Sequence, residues 1–178
     1  MKVIFLDIDG PMTMGCYGGQ PIKINEELEI GYGWIQEECD ALTEIINKTG
    51  AKIVISSDWK KIYSTGQMGK IFEHYGIPNV IIGKTHEKKS KLSSTNVMDR
   101  AYQIADWLAD NSTTVESWVS IDDMPLHVFY RDMHDHNGYN NIKPENHIWI
   151  EGDYNTLSTR LNEHTEKIIK FLNDNSRS

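Results

Sequence analysis

Five short apolar runs recur along the chain: KVIFLD (2–7), KIVIS (52–56), NVIIG (79–83), SWVSI (117–121) and HIWI (147–150). Each is short and rich in β-branched or aromatic residues, and each reads as a buried strand. Segments of helical period lie between them. Ile35, Cys39, Leu42, Ile45 and Ile46 mark a helix over 34–48, which Gly50 stops. A second helix is expected over 60–75, closed by Gly76 and Pro78. Asn96 caps a third over 97–109, whose apolar face is Met98, Ala101, Ile104, Ala105 and Leu108. A last helix runs over about 158–172, and the chain beyond it reads as a frayed tail at 174–178. Strands that alternate with helices predict an α/β protein, a Rossmann-like doubly wound parallel sheet of about five strands. Residues 1–173 then form one domain.

In such a sheet the crossovers are right-handed, and ligands bind beyond the carboxyl ends of the strands. That rule gives meaning to the polar clusters. Asp7, Asp9 and Gly10 follow the first run, Ser56, Ser57 and Asp58 the second, and Asp122 and Asp123 the fourth. Turns placed without a function would scatter such residues over both ends of the sheet. Four converging carboxylates repel one another unless a cation joins them. Mg²⁺ prefers oxygen ligands and commonly shares its site with a substrate phosphate. A carboxylate at such a site can attack phosphorus, and a second one, two residues on, can protonate the leaving oxygen and later activate water. A serine hydroxyl and a cationic side chain at neighbouring strand ends would steady the phosphoryl oxygens.

Composition limits the partners. A hydrophobic share of 39% with 25% charged residues fits a folded domain. Cys16 and Cys39 supply neither a disulfide framework nor a metal quartet, and read as free thiols. No apolar run approaches the roughly 18 residues of a membrane span, and the first residues do not read as an export signal. The expectation is a cytoplasmic protein without a membrane partner. The net charge of −8 opposes broad affinity for nucleic acid, although Lys84, Lys88, Lys89 and Lys91 gather in the polar stretch 84–95. Tyr17, Tyr32 and Trp34, in or beside the glycine-rich stretch 10–33, are candidates to stack on a base or to pack in the core. His127, His134, Asp135 and His136 offer transition-metal ligands. They fall in a polar stretch, 124–146, that shows no readable element, and solvated filler is the simpler account of them.

The order LDIDG (6–10), IVISS (53–57) and SIDD (120–123) resembles the haloacid dehalogenase superfamily of phosphohydrolases. RAYQIADWL (100–108) and the closing NTLSTRLNEHTEKIIKFL (155–172) are similar to its short members grouped with RNA-repair domains. The minimally capped build is also similar to that of the 5′(3′)-deoxyribonucleotidases. The resemblance implies Asp7 as nucleophile and Asp9 as general acid and base, with the Asp9 backbone carbonyl helping to hold Mg²⁺. It implies Ser56 as the phosphate-binding hydroxyl, with Ser57 as a rival. Asp123 would meet the metal directly and Asp122 mostly through water. Arg100 would supply the bridging positive charge, with Lys84 second, and Gly10, Ser57, Asp58 and Lys84 would line the substrate. Pro11 and Asp58 depart from the common pattern without removing a catalytic group. The expected activity is Mg²⁺-dependent hydrolysis of a phosphate monoester through an aspartyl-phosphate, with a nucleotide monophosphate as substrate. The alternatives are a terminal phosphate on an RNA or DNA end, a sugar phosphate or phosphoprotein, and a non-catalytic phosphate-binding module of the same fold.

Overall fold

The five apolar runs pair side by side. In the computed structural model, which describes residues 1–13, 20–86, 96–136, 142–153, 156–157 and 160–174, they are β1 (Lys2–Leu6), β4 (Lys52–Ile55), β5 (Ile81–Lys84), β6 (Ser117–Asp122) and β7 (His147–Trp149). All pairings are parallel, in the order β5-β4-β1-β6-β7. The first strand therefore lies in the middle, with the crossovers fanning out to either side. This is the doubly wound α/β sheet expected from the alternation.

Strand alternation sends side chains to two separate cores. Ile4, Leu6, Ile53, Ile55, Val119 and Ile121 face one side. There they meet α1 (Gln36–Thr49), α2 (Thr65–His74) and α5 (Leu161–Asp174). Val3, Phe5, Val54 and Trp118 face the other, against α3 (Asn96–Asp110) and α4 (Leu126–His136). Phe5 anchors that second core, edge-on to Trp107 at 5.4 Å and to Trp118 at 5.7 Å. Two short strands, β2 (Ile22–Lys23) and β3 (Glu29–Ile30), pair antiparallel between β1 and α1. The buried Leu28 and Ile30 fasten this hairpin to the first core. A second small antiparallel pair, β8 (Gly152–Asp153) and β9 (Thr156–Leu157), precedes α5.

Several boundaries differ from the sequence reading, for local reasons. The helix expected over 60–75 divides into a 3₁₀ turn, Asp58–Lys61, and α2. Ser57 caps the turn by accepting from the Trp59 N–H at 3.3 Å, and a capping box between Ser64 and Gln67 starts α2 afresh. The last helix begins at Leu161, where Glu38 of α1 accepts from the Asn162 N–H at 2.9 Å. The unassigned stretch 124–146 contains α4 and a 3₁₀ turn, Pro144–Asn146. Leu126, Tyr130 and Met133 of α4 are buried in the second core, with Phe129 partly buried against it, and the helix's polar and histidine residues hide that stripe in the sequence. Cys39 is buried among apolar groups, which push its thiol up to about 12 and leave it inert. Cys16, Tyr17, Lys88, Lys89 and Lys91 lie outside the described residues. Among the described residues, no helix is long and apolar enough to cross a membrane.

Candidate active site

Register places the polar clusters at one level. Leu6 pairs with Ile55 on one side and with Ile121 on the other. Asp7, Ser56 and Asp122 are the next residues along three adjacent strands. Alternation also gives them a common side. They continue the parity of Phe5, Val54 and Trp118, whose side chains face α3 and α4. Arg100, in the first turns of α3, sits on that side and is itself buried. Its Nη1 donates to Asp122 Oδ2 at 2.8 Å and also to Asp7 Oδ2. Burial works against the guanidinium's charge, but the two carboxylates more than offset it and raise its pKa.

The remaining oxygens of these carboxylates are also placed. Asp7 Oδ1 accepts from the Ile8 N–H at 2.8 Å, and Asp122 Oδ1 from the Met124 N–H at 2.9 Å. Asp7, Asp122 and Asp123 each bring one oxygen within 4.8 Å of the others. Burial first, and then the charge of Asp7, push the Asp123 carboxyl up to about 6. Burial likewise raises Asp122. Three clustered carboxylates share one guanidinium, and Asp9 adds its charge to that felt by Asp123, an excess of negative charge in a confined space. A set of hard oxygen donors with that excess fits a hard divalent cation. Gly10 is required twice over at this point. Its φ of 89° is left-handed, and a Cβ there would lie 2.8 Å from Asp123 Cβ.

Asp9 faces a different environment. Trp59 Nε1 donates to both of its oxygens, at 3.0 and 3.1 Å, and the Tyr32 hydroxyl donates to Oδ1. Burial raises its pKa, and these two donors pull it only partly back. A carboxyl held near its proton in this way suits an acid–base role. Tyr32 is therefore bound to Asp9 through its hydroxyl. Trp34 is a core residue, stacked on Tyr75 with rings 5.3 Å apart and 4° from parallel, so its face is covered. Trp59 escaped the sequence reading, although its place directly after the Ser-Ser-Asp cluster is a usable signal.

The two serines separate by their partners. Ser57 is used as the cap of the 3₁₀ turn, whereas Ser56 Oγ is buried with no hydrogen-bond partner. Asp58 is exposed and pairs with Lys61 at 2.8 Å. Lys84 is not part of a linker, as expected from sequence, but the last residue of β5. Its Nζ donates to the carbonyls of Lys60 at 2.7 Å and Tyr63 at 3.4 Å, which ties the 3₁₀ turn to the sheet. Lys60, which sequence reasoning passed over, is buried and donates to Thr85 Oγ1 and Gln103 Oε1. Among the described residues His127 belongs to no group of metal-ligating side chains. Its ring stacks on His147 at 5.7 Å and leans on Trp149 at 5.2 Å. The side chains of Asp135 and His136 lie outside the described residues. Burial lowers the His147 pKa to about 4, so that ring is neutral.

Residues 3–147 match the family model described as the HAD domain in Swiss Army Knife RNA repair proteins. No curated protein and no solved structure matches the chain. The match runs from β1 to the start of β7 and so spans the central strand, Arg100 and both acidic clusters. By that extent, and by the sheet and strand-end residues already described, the chain belongs to the HAD superfamily, in the family of RNA-repair HAD domains.

Proposed function

We propose that the chain hydrolyses phosphate monoesters through a covalent intermediate on Asp7, with Mg²⁺ as cofactor. Family membership supports phosphohydrolase chemistry in general. The observation that carries the finer reading is Ser56. A buried hydroxyl without a partner costs about 1–3 kcal/mol, and this one lies at the level of Asp7, between two strands that end in polar groups. A phosphoryl oxygen would accept its proton.

In the first step an Asp7 oxygen forms a bond to phosphorus as the bond to the leaving oxygen breaks. The leaving oxygen takes the Asp9 proton. In the second, ionised Asp9 takes a proton from water, which attacks phosphorus, releases phosphate and restores Asp7. Arg100 places its charge between the nucleophile and the transferring group. Mg²⁺, held by Asp7, Asp122 and Asp123 with the Asp9 carbonyl, would supply positive charge to the phosphoryl oxygens when bound. Tyr32 and Trp59 orient Asp9 through their hydrogen bonds to its carboxylate.

The substrate class we favour is a nucleotide monophosphate, a small body for a site whose Asp9 is met by Tyr32, just after the β2–β3 hairpin. A second reading, the terminal phosphate of an RNA or DNA end, is favoured by the RNA-repair description of the family. Phosphate release from mononucleotides, 5′- and 3′-phosphorylated oligonucleotides and an aryl phosphate, with Mg²⁺, separates the two. Asp7→Asn should abolish release in every case, because an amide oxygen is a poor nucleophile toward phosphorus. Substantial turnover by Asp7→Asn would refute the covalent mechanism. Tight binding of phosphate by the wild type without any release would mark a non-catalytic module instead.

A further inference from the structure

The strand β7 carries no carboxylate and no group that faces phosphate in the mechanism above, yet it touches the acidic turn at three consecutive points. The Ile150 N–H donates to the Asp122 carbonyl at 3.0 Å. Trp149 Nε1 donates to the Asp123 carbonyl at 2.9 Å, and His147 Nε2 to the Met124 carbonyl at 2.9 Å. All three carbonyls of Asp122–Asp123–Met124 are thus held from one side. A carbonyl can only accept, so Nε2 bears the His147 proton and Nδ1 is an acceptor. Ser120 donates to that Nδ1 at 3.0 Å, and Tyr130 donates in turn to Ser120 at 3.1 Å. This chain of partners fixes both the tautomer and the tilt of the ring.

A turn held by its carbonyls has little freedom to rotate its side chains away. The Asp122 carboxylate is capped from two residues on, by the Met124 N–H, whereas the Asp123 carboxylate takes its backbone hydrogen bond from its own N–H. Its direction toward Gly10 and Asp7 therefore depends on the backbone beneath it.

We propose that His147 and Trp149 are positioning residues of the acidic site, which hold the Asp122–Met124 turn through their ring N–H groups so that Asp123 faces Asp7. The link to cation affinity rests on the Mg²⁺ reading above; the ordering of the turn does not. Outer partners of this kind typically carry 10–100-fold in metal affinity.

The test uses the full chain and two readouts. Mg²⁺ binding is titrated by calorimetry, and exchange of the Met124 amide is followed by NMR in metal-free protein. Trp149→Phe keeps a ring at an exposed site and removes only the donor, so its melting temperature should stay near wild type. His147→Leu removes the second donor, and His147→Gln keeps an N–H that can reach the Met124 carbonyl. Trp149→Phe and His147→Leu should each weaken Mg²⁺ binding about 10-fold or more and speed Met124 exchange, with His147→Gln recovering part of both. Activity of these two variants should return toward wild type at saturating Mg²⁺, which a misfolded site would not allow. Wild-type affinity and wild-type exchange in Trp149→Phe would overturn the proposal even if the His147 variants fail to fold. Faster exchange in the variants of a wild type that binds no Mg²⁺ would uphold the positioning role and refute the cofactor reading.

Discussion

Arg100→Ala is the sharpest test of the electrostatics. Arg100 is buried and is shared by the Asp7 and Asp122 carboxylates, with Asp122 at 2.8 Å. Removing it leaves two buried negative charges without their partner, a loss of about 3–5 kcal/mol. For a domain of this size that lowers Tm by roughly 10 °C. The loss should depend on pH. Asp122 and Asp123 are already raised by burial, and without the guanidinium they would rise further. Protonation then relieves the repulsion, so the variant should lie closer to wild type in acid and fall away as pH rises through those raised values. Mg²⁺ should stabilise the variant more than the wild type, because a divalent cation replaces part of the missing charge. With an aryl phosphate, kcat should fall about 10²-fold or more, as for loss of one preorganised donor at developing charge. Arg100→Lys should recover only part of this, since a single ammonium does not reproduce the planar fork. Lys84→Ala is the control. It loses hydrogen bonds to the Lys60 and Tyr63 carbonyls, worth about 1–3 kcal/mol, and should keep kcat near wild type. Urea melts at several pH values, with and without Mg²⁺, and steady-state kinetics check every arm. If Arg100→Ala keeps its kcat and loses less than about 1 kcal/mol while Lys84→Ala destroys turnover, the assignment of the bridging charge is wrong.

Ser56→Ala removes a buried hydroxyl that has no partner, so stability should hold or rise by about 1 kcal/mol, while inhibition by inorganic phosphate weakens. Unchanged phosphate affinity in that variant would remove Ser56 from the substrate site. The Asp123 carboxyl, pushed up to about 6, binds its proton more tightly in the folded chain than in the unfolded one. Metal-free protein should therefore lose stability as pH rises from its ordinary value near 3.8 through about 6. Mg²⁺ requires the ionised form, so its affinity should climb over the same range, and a flat Mg²⁺ titration across that window would count against Asp123 as a ligand.

The parallel sheet was legible because its information is local. Each strand needs a short β-branched run, each crossover a helix-period segment, and the chain carries both in strict alternation. Once the sheet is parallel, every strand points its carboxyl end the same way, so Asp7, Ser56 and Asp122 had to emerge together. Other features depended on which side chain finds which partner, and no local pattern encodes that. Ser56 and Ser57 are identical in sequence terms, and only the turn that Ser57 caps leaves Ser56 unpartnered. Lys84 and Arg100 were both plausible cations. Strand parity sent Asp7 toward α3, where a residue 93 positions away reaches it, while Lys84 closes on the carbonyls of its own neighbourhood. Trp34 suited a base-stacking loop or the core equally well by sequence, and packing against Tyr75 decides for the core. HIWI read as a strand alone, yet its two aromatic rings hold the acidic turn, a role that exists only because β7 lies beside β6. Backbone hydrogen bonding and hydrophobic period are written residue by residue, whereas the pairing of polar groups is decided by the packing that brings distant segments into contact.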